Sequence, residues 1–187
     1  MRSQSVRVAG IAGMVGGACW VVKALAILAT GDQPPFLFGV APPLFGVALI
    51  GLHARLEGQG GLPGTIGLVL AALSGLFALV GLVLPSTPGA ESFSPWIFGG
   101  FIANLASLIL LGIAVRRSGT LPGRGRLLPL VLGISTIPLI AVGGALESVN
   151  ERLLEVPLVL IGVAWIGLGY LIAFAARPQE SVQGGDH

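Results

Sequence analysis

Two apolar runs joined by a basic loop place the strongest constraint on what this chain can fold into. The runs cover residues 95–115 and 127–146, and as helices each is long enough to cross a hydrocarbon core about 30 Å thick. The loop between them carries four arginines, Arg116, Arg117, Arg124 and Arg126. Because basic residues concentrate in cytoplasmic loops, the sequence predicts a membrane-spanning hairpin whose turn lies inside the cell.

The composition indicates an integral membrane protein. Hydrophobic residues make up 54% of the 187 residues and charged residues 10%, whereas soluble domains average about 25% charged residues. This length leaves room for about six crossings with short connections, and none for a separate soluble domain. The single cysteine, Cys19, lies within an apolar run, so an internal disulfide and a cysteine-cluster metal site are excluded.

The other apolar runs complete a predicted all-α bundle of six transmembrane helices, arranged as three helical hairpins. The predicted spans cover residues 8–30, 36–52, 64–84, 95–115, 127–146 and 153–176. Together they form one domain over residues 1–177, followed by a polar, glycine-rich cytoplasmic tail at 178–187 that is predicted to be disordered. The second span is short, and we expect it to break at Pro42 and Pro43, because proline removes a backbone donor and clashes with the preceding turn.

The distribution of charge predicts the orientation. One side of the predicted bundle receives most of the arginines: Arg2, Arg7, Arg55, Arg116, Arg117, Arg124, Arg126 and Arg177. The other side receives Arg152 and a set of acidic residues: Asp32, Glu91, Glu147, Glu151 and Glu155. The positive-inside rule then places both termini in the cytoplasm, in a plasma membrane such as the bacterial inner membrane. A cleaved signal peptide is the alternative for the first span, although Lys23 would lie awkwardly beside its cleavage site.

Lys23 is the charged residue that lies deep within a predicted span. Counted back from Thr30 at the helical rise, it lies about 10 Å below the outer end of its helix. A lysine can snorkel to water, but helix side chains lean toward the N terminus, which turns this one away from the nearer surface. The alternative is a partner or a polar cavity, and the cost of an unpaired lysine in lipid favours it.

Depth places further residues beside Lys23 in the outer half of the membrane. The candidate residues for lining a cavity there are Lys23, Pro42, Pro43, Asn104, Glu147 and Trp165. We predict that they form an outward-facing polar cavity, in which Glu147 pairs with Lys23 and Asn104 is a neutral neighbour. The competing interpretation is that six helices bring polar residues and prolines to similar depths by chance.

Glu147, Glu151 and Glu155 recur every four residues, so a helix would place them on one stripe. The stripe is interpreted as a solvated helix face, or as a mouth that attracts cations to the cavity. Small residues form two further ridges that let helices approach closely, at Ala9, Gly13 and Gly17 and at Gly67, Ala71 and Gly75.

Motifs for chemistry are missing from the sequence. It contains no G-x-S-x-G elbow, no H-E-x-x-H and no Cys-x-x-Cys, so no enzyme activity is expected. His53 at an interface and His187 in the tail do not make a haem or metal site, and no cofactor is predicted. Nucleic-acid binding has no support, because the few basic residues lie at membrane boundaries where orientation explains them.

Two functions from different classes remain. The first is a protein that binds or transports a small amphiphile or the head group of a lipid in the outer cavity. The second is a non-catalytic structural or accessory subunit, whose glycine-rich helix faces pack against protein partners or a second copy of the chain. Membrane lipids surround the protein in both cases.

Overall fold

A computed structural model describes residues 2–34, 36–84 and 95–175. Within these ranges the regular secondary structure is helical, with short turns between the helices, and six helices are long and apolar enough to cross a membrane. They are α1 (Arg2–Thr30), α2 (Leu37–Arg55), α3 (Gly61–Val83), α4 (Pro95–Ser118), α5 (Leu128–Glu147) and α6 (Glu155–Phe174). The predicted all-α bundle of six helices is confirmed. The predictions for Glu91, Arg177 and the tail 178–187 concern residues outside the described ranges.

The first and last helices close the bundle. The most extensive interface lies between α1 and α6, and those of the hairpins α3–α4 and α1–α2 come next. The helix α5 packs against α4 and α6, and α2 also packs against α3. The helix α1 therefore lies between α2 and α6. We call the end of the bundle that carries Arg55 and Arg116 the arginine end, and the end that carries Asp32 and Glu147 the acidic end.

Glycines bring the antiparallel helices α1 and α6 into backbone contact. A Cβ atom added at Gly17 would lie 2.6 Å from the carbonyl oxygen of Gly162. One added at Gly169 would lie 2.5 Å from the carbonyl oxygen of Gly10. Real Cβ atoms do not approach a backbone oxygen so closely, so this interface needs glycine at both levels. The spacing of seven residues on each helix keeps these glycines on one face.

The predicted small-residue ridges pack inside this chain. In the first ridge, Ala9 and Gly13 face α2, where they lie against Gly51 and Ala48, whereas Gly17 faces α6. In the second ridge, Gly67 faces α4, and its carbonyl oxygen accepts a hydrogen bond of 2.8 Å from the buried hydroxyl of Ser107. Gly75 lies against Gly46 of α2.

The prediction of a break in the second span was wrong, because α2 is continuous from Leu37 to Arg55 with Pro42 and Pro43 inside it. Both prolines lie in the second turn. The carbonyls that lose a donor are therefore those of Phe38 and Gly39, close to the end of the helix. The ring of Pro43 crowds the carbonyl of Gly39, a residue that has no side chain to add to the clash. The helix loses only these two bonds and continues.

Arg55 connects the arginine end of α2 to the C terminus of α6. Its buried guanidinium donates from Nη1 to the carbonyl oxygen of Leu171 at 2.6 Å and from Nη2 to that of Ala175. The last carbonyls of a helix have no intrahelical donors and carry partial negative charge. Arg55 supplies them with both hydrogen-bond donors and a positive charge. The four loop arginines predicted to set the topology, Arg116, Arg117, Arg124 and Arg126, are exposed.

Candidate functional site

Lys23 and Glu155 form a buried ion pair near the acidic end of the bundle. Lys23 Nζ donates to Glu155 Oε1 at 2.6 Å, and the two side chains are 7% and 6% exposed. Lys23 lies on α1, and Glu155 is the first residue of α6. The antiparallel register that places Gly17 opposite Gly162 brings these two side chains to the same level. Burial of a charged pair requires a close partner for each charge, and this geometry supplies it.

The predicted pairing of Lys23 with Glu147 was wrong. Glu147 is exposed at the end of α5, and α1 packs against α2 and α6 instead. Asn104 is half-buried on α4, and no hydrogen bond joins it to Lys23 in the described part of the chain. These residues were grouped by depth along their own helices. Depth does not determine which helices are neighbours, and the order of the helices around the bundle separates these residues.

Aromatic rings extend from the ion pair into the bundle. Lys23 Nζ lies 5.4 Å from the ring centroid of Phe38, and Trp20 stacks parallel to Phe38 with centroids 6.4 Å apart. Trp20 also meets the edge of Phe45 at 5.3 Å, and Phe45 stacks on the buried Trp165 at 4.1 Å. We call Trp20, Phe38, Phe45 and Trp165 the aromatic cluster. The faces of aromatic rings attract cations, so Phe38 gives Lys23 a second favourable contact.

Two buried polar atoms in this region have no hydrogen-bond partner in the described residues: Glu155 Oε2 and Trp20 Nε1. Most buried polar atoms in proteins are hydrogen-bonded, and each exception costs roughly 1–3 kcal/mol. Arg152 is the nearest other cation along the chain, but its Nη2 donates to the carbonyl oxygen of Thr30 at 3.4 Å. The site therefore presents an unused acceptor and an unused donor.

Phe38 is an exposed aromatic residue beside the ammonium of Lys23. It lies in the first turn of α2 and is 37% exposed, whereas Lys23 and Glu155 are buried. Phe36, directly before the helix, is 79% exposed. Pro42 and Pro43 are half-buried in the following turn. The ammonium of Lys23 therefore has an exposed aromatic ring as one of its neighbours.

The surface clefts of the bundle lie away from this pair. One, of about 380 Å³, is lined by Gln4, Ser5, Val8, Ala9 and Val47. The other, of about 320 Å³, has an almost wholly apolar lining that includes Ile11, Met14 and Ile166. None of the six residues predicted to line a cavity contributes to either cleft. The pair is enclosed between α1, α2 and α6.

Glu155 is the partner of Lys23 that the sequence reasoning missed. It was grouped with Glu147 and Glu151 as one acidic stripe, yet Glu147 and Glu151 are exposed and Glu155 is buried. The available signal was its position directly before Val156 and Pro157, where the last apolar run begins. Of the three carboxylates, it is the one whose position on the last span brings it nearest to the membrane.

Comparison with protein-family models, with curated proteins and with solved structures finds no match to this chain. The functional interpretation therefore rests on the chemistry of the site. That chemistry is an ammonium group, a carboxylate with a free oxygen and an indole N–H, set beside aromatic rings. Such a set can bind and orient a polar group whose remainder is apolar.

Proposed function

We propose that this multi-pass membrane protein binds a small amphiphile or the head group of a lipid at the Lys23–Glu155 pair, without a catalytic step. The observation that carries the proposal is the presence of two buried polar atoms that have no hydrogen-bond partner among the described residues, Glu155 Oε2 and Trp20 Nε1. Ionisable groups at membrane depth are costly, and they typically mark binding sites and pathways. Binding here is also the first step that transport of the same ligand would need.

An amphiphile suits the surroundings of the pair better than a fully polar solute does. Phe38 lies beside Lys23 and is partly exposed, and the rest of the aromatic cluster lies deeper in the bundle. A polar head group can thus reach Glu155 while its apolar part stays beside Phe38 and Phe36. This lateral route needs no water-filled channel.

The alternative function, a structural or accessory subunit, has less support. It relies on glycine faces that are open to partner helices. Gly17, Gly67 and Gly75 instead contact α6, α4 and α2 of the same chain. A purely structural role also leaves the unused oxygen of Glu155 without an explanation. We therefore favour the binding function.

The proposed binding is tested with the purified full chain in micelles that contain phosphatidylethanolamine, phosphatidylcholine and phosphatidylglycerol with identical acyl chains. Native mass spectrometry measures the retained lipid. Glu155→Gln is expected to reduce total retention at least about tenfold, since one charged hydrogen bond is lost. Glu151→Gln, which changes an exposed carboxylate one turn earlier, is the matched control and should leave retention unchanged. Equal retention by both variants would overturn the proposal.

We also propose that the protein lies in the plasma membrane with both termini in the cytoplasm. The support is the contrast between the exposed arginines of the loop after α4 and the exposed acidic residues Glu147 and Glu151 at the other end. In a Cys19→Ala background, an impermeant thiol reagent applied outside intact cells should label Val149→Cys and spare Thr120→Cys. Permeabilised cells should show labelling of both. The reverse pattern in intact cells would rule out this orientation.

A further inference from the structure

We infer that the head group bound at the Lys23–Glu155 pair is zwitterionic and carries a primary ammonium group beside an anion, as phosphoethanolamine does. This inference rests on the proposed function, because it names the ligand class of the same site. Its basis is the set of unused hydrogen-bonding groups. Glu155 Oε2 is an acceptor without a donor, and Trp20 Nε1–H is a donor without an acceptor. Lys23 also has N–H groups besides the one directed at Glu155 Oε1.

Charge balance favours a zwitterion over a simple cation or anion. The Lys23–Glu155 pair is neutral as a unit and is almost wholly buried. A simple cation or anion added to it leaves one net charge in apolar surroundings, which is costly. A zwitterion leaves the site neutral, since its ammonium can lie at Glu155 Oε2 and its anion at Lys23 and Trp20 Nε1. Both unused atoms then gain a partner.

Hydrogen bonding favours a primary over a quaternary ammonium. A trimethylammonium group has no N–H and leaves Glu155 Oε2 without a donor, whereas a primary ammonium donates to it. The Phe38 ring, which is the aromatic face nearest the pair, already has Lys23 Nζ at 5.4 Å from its centroid. A glycerol head group has hydroxyl donors, but its phosphate brings one net negative charge. These differences predict selection for phosphoethanolamine over phosphocholine and phosphoglycerol.

The location of the site fits the head group of a lipid in the membrane. Glu155 is the first residue of α6, so it lies at the level where a membrane-spanning helix begins. Lys23 lies about 10 Å inside the end of α1, within reach of a head group drawn slightly into the bundle. Phe38, which is partly exposed, lies beside Lys23. The acyl chains can therefore remain in the bilayer while the head group occupies the site.

The test uses the same mixture of three lipids and reads the ranking of head groups, not the total retention. The wild-type chain should retain phosphatidylethanolamine about tenfold over each of the other two, the factor expected for one buried acceptor left unfilled. Glu155→Gln should remove this ranking, and Glu151→Gln should preserve it. Trp20→Phe keeps an aromatic ring in the cluster but removes the N–H together with part of the indole, so it should weaken retention of phosphatidylethanolamine several-fold.

The outcomes separate this inference from the proposed function. A Glu155-dependent retention that is equal for the three lipids, or that favours phosphatidylcholine, overturns the zwitterion with a primary ammonium and leaves the binding function standing. Retention that Glu155→Gln leaves unchanged overturns both this inference and the proposed function. Soluble phosphoethanolamine is added in a parallel experiment. If it displaces the lipid, the ligand is a soluble molecule with the same zwitterionic group. Where Glu155→Gln fails to fold, Trp20→Phe decides, and an unchanged ranking with unchanged retention overturns the inference.

Discussion

Removing either member of the Lys23–Glu155 pair is expected to destabilise the protein by about 3–5 kcal/mol, because the remaining charge is left buried without a partner. Lys23→Met strands a carboxylate at the start of α6, and Glu155→Gln strands an ammonium deeper in the bundle. Both changes conserve the approximate size of the side chain, so packing contributes little to the loss. Thermal and denaturant unfolding of the purified chain in detergent measures the effect.

The double variant shows whether Lys23 and Glu155 stabilise each other or are buried independently of each other. Lys23→Met with Glu155→Gln leaves no unpaired charge, so it should recover much of the lost stability and give a coupling energy well above experimental error. Glu147→Gln is the control for the alternative partner of Lys23, and its exposed carboxylate should change stability by less than about 0.5 kcal/mol. Additive losses in the double variant would show that Lys23 and Glu155 do not depend on each other.

Gly169→Ala is expected to destabilise the bundle by about 1–3 kcal/mol through overpacking, and by more where the separation of α1 and α6 lengthens the ion pair. The new Cβ would lie 2.5 Å from the carbonyl oxygen of Gly10 and 2.6 Å from the backbone nitrogen of Met14. Backbone atoms cannot rotate away as the end of a side chain can. The two helices must therefore move apart along their whole contact.

The matched control for this change is Gly144→Ala on α5. A Cβ added at Gly144 meets no atom within 4 Å, and its backbone is helical. Alanine there should stabilise the helix by about 0.5–1 kcal/mol, because glycine loses more backbone freedom on folding. The same substitution should thus have opposite signs at the two sites, as read from unfolding midpoints. Destabilisation of similar size at both positions would contradict the close approach of α1 and α6.

The sequence was sufficient to predict the helices because the length of each apolar run shows by itself whether a helix there can cross a membrane. The run at 95–115 and the arginines after it required no knowledge of any other part of the chain. The same local reasoning failed at Pro42 and Pro43, since the cost of proline depends on how far it lies from the end of the helix. The predicted start at residue 36 already placed both prolines in the second turn, and the error was to expect that two lost hydrogen bonds there would break the helix.

The candidate site could be predicted only in part, because it depends on the order of the helices in the bundle. The sequence identified Lys23 as a lysine in need of a partner, and it included Trp165 among the lining residues. It selected Glu147 over Glu155, although Glu155 lies inside the predicted span 153–176, because depth along a helix does not show which helices are neighbours. The neighbouring position of α1 and α6 depends on the glycines at 162 and 169, which let the two helices pack closely. Their pairing with Gly10 and Gly17 is a property of two helices at opposite ends of the chain.

The pairing of the first helix with the last has a consequence for the synthesis of the protein. Glu155 follows Lys23 by 132 residues, so at about 5–20 residues per second the lysine exists for roughly 7 to 26 seconds before its carboxylate has been made. During that interval α1 cannot take its final place without an unpaired ammonium in the lipid. Insertion of α6 therefore supplies both the countercharge and the glycine face that α1 requires. The contact between α1 and α6 therefore cannot be completed until residue 155 has been made.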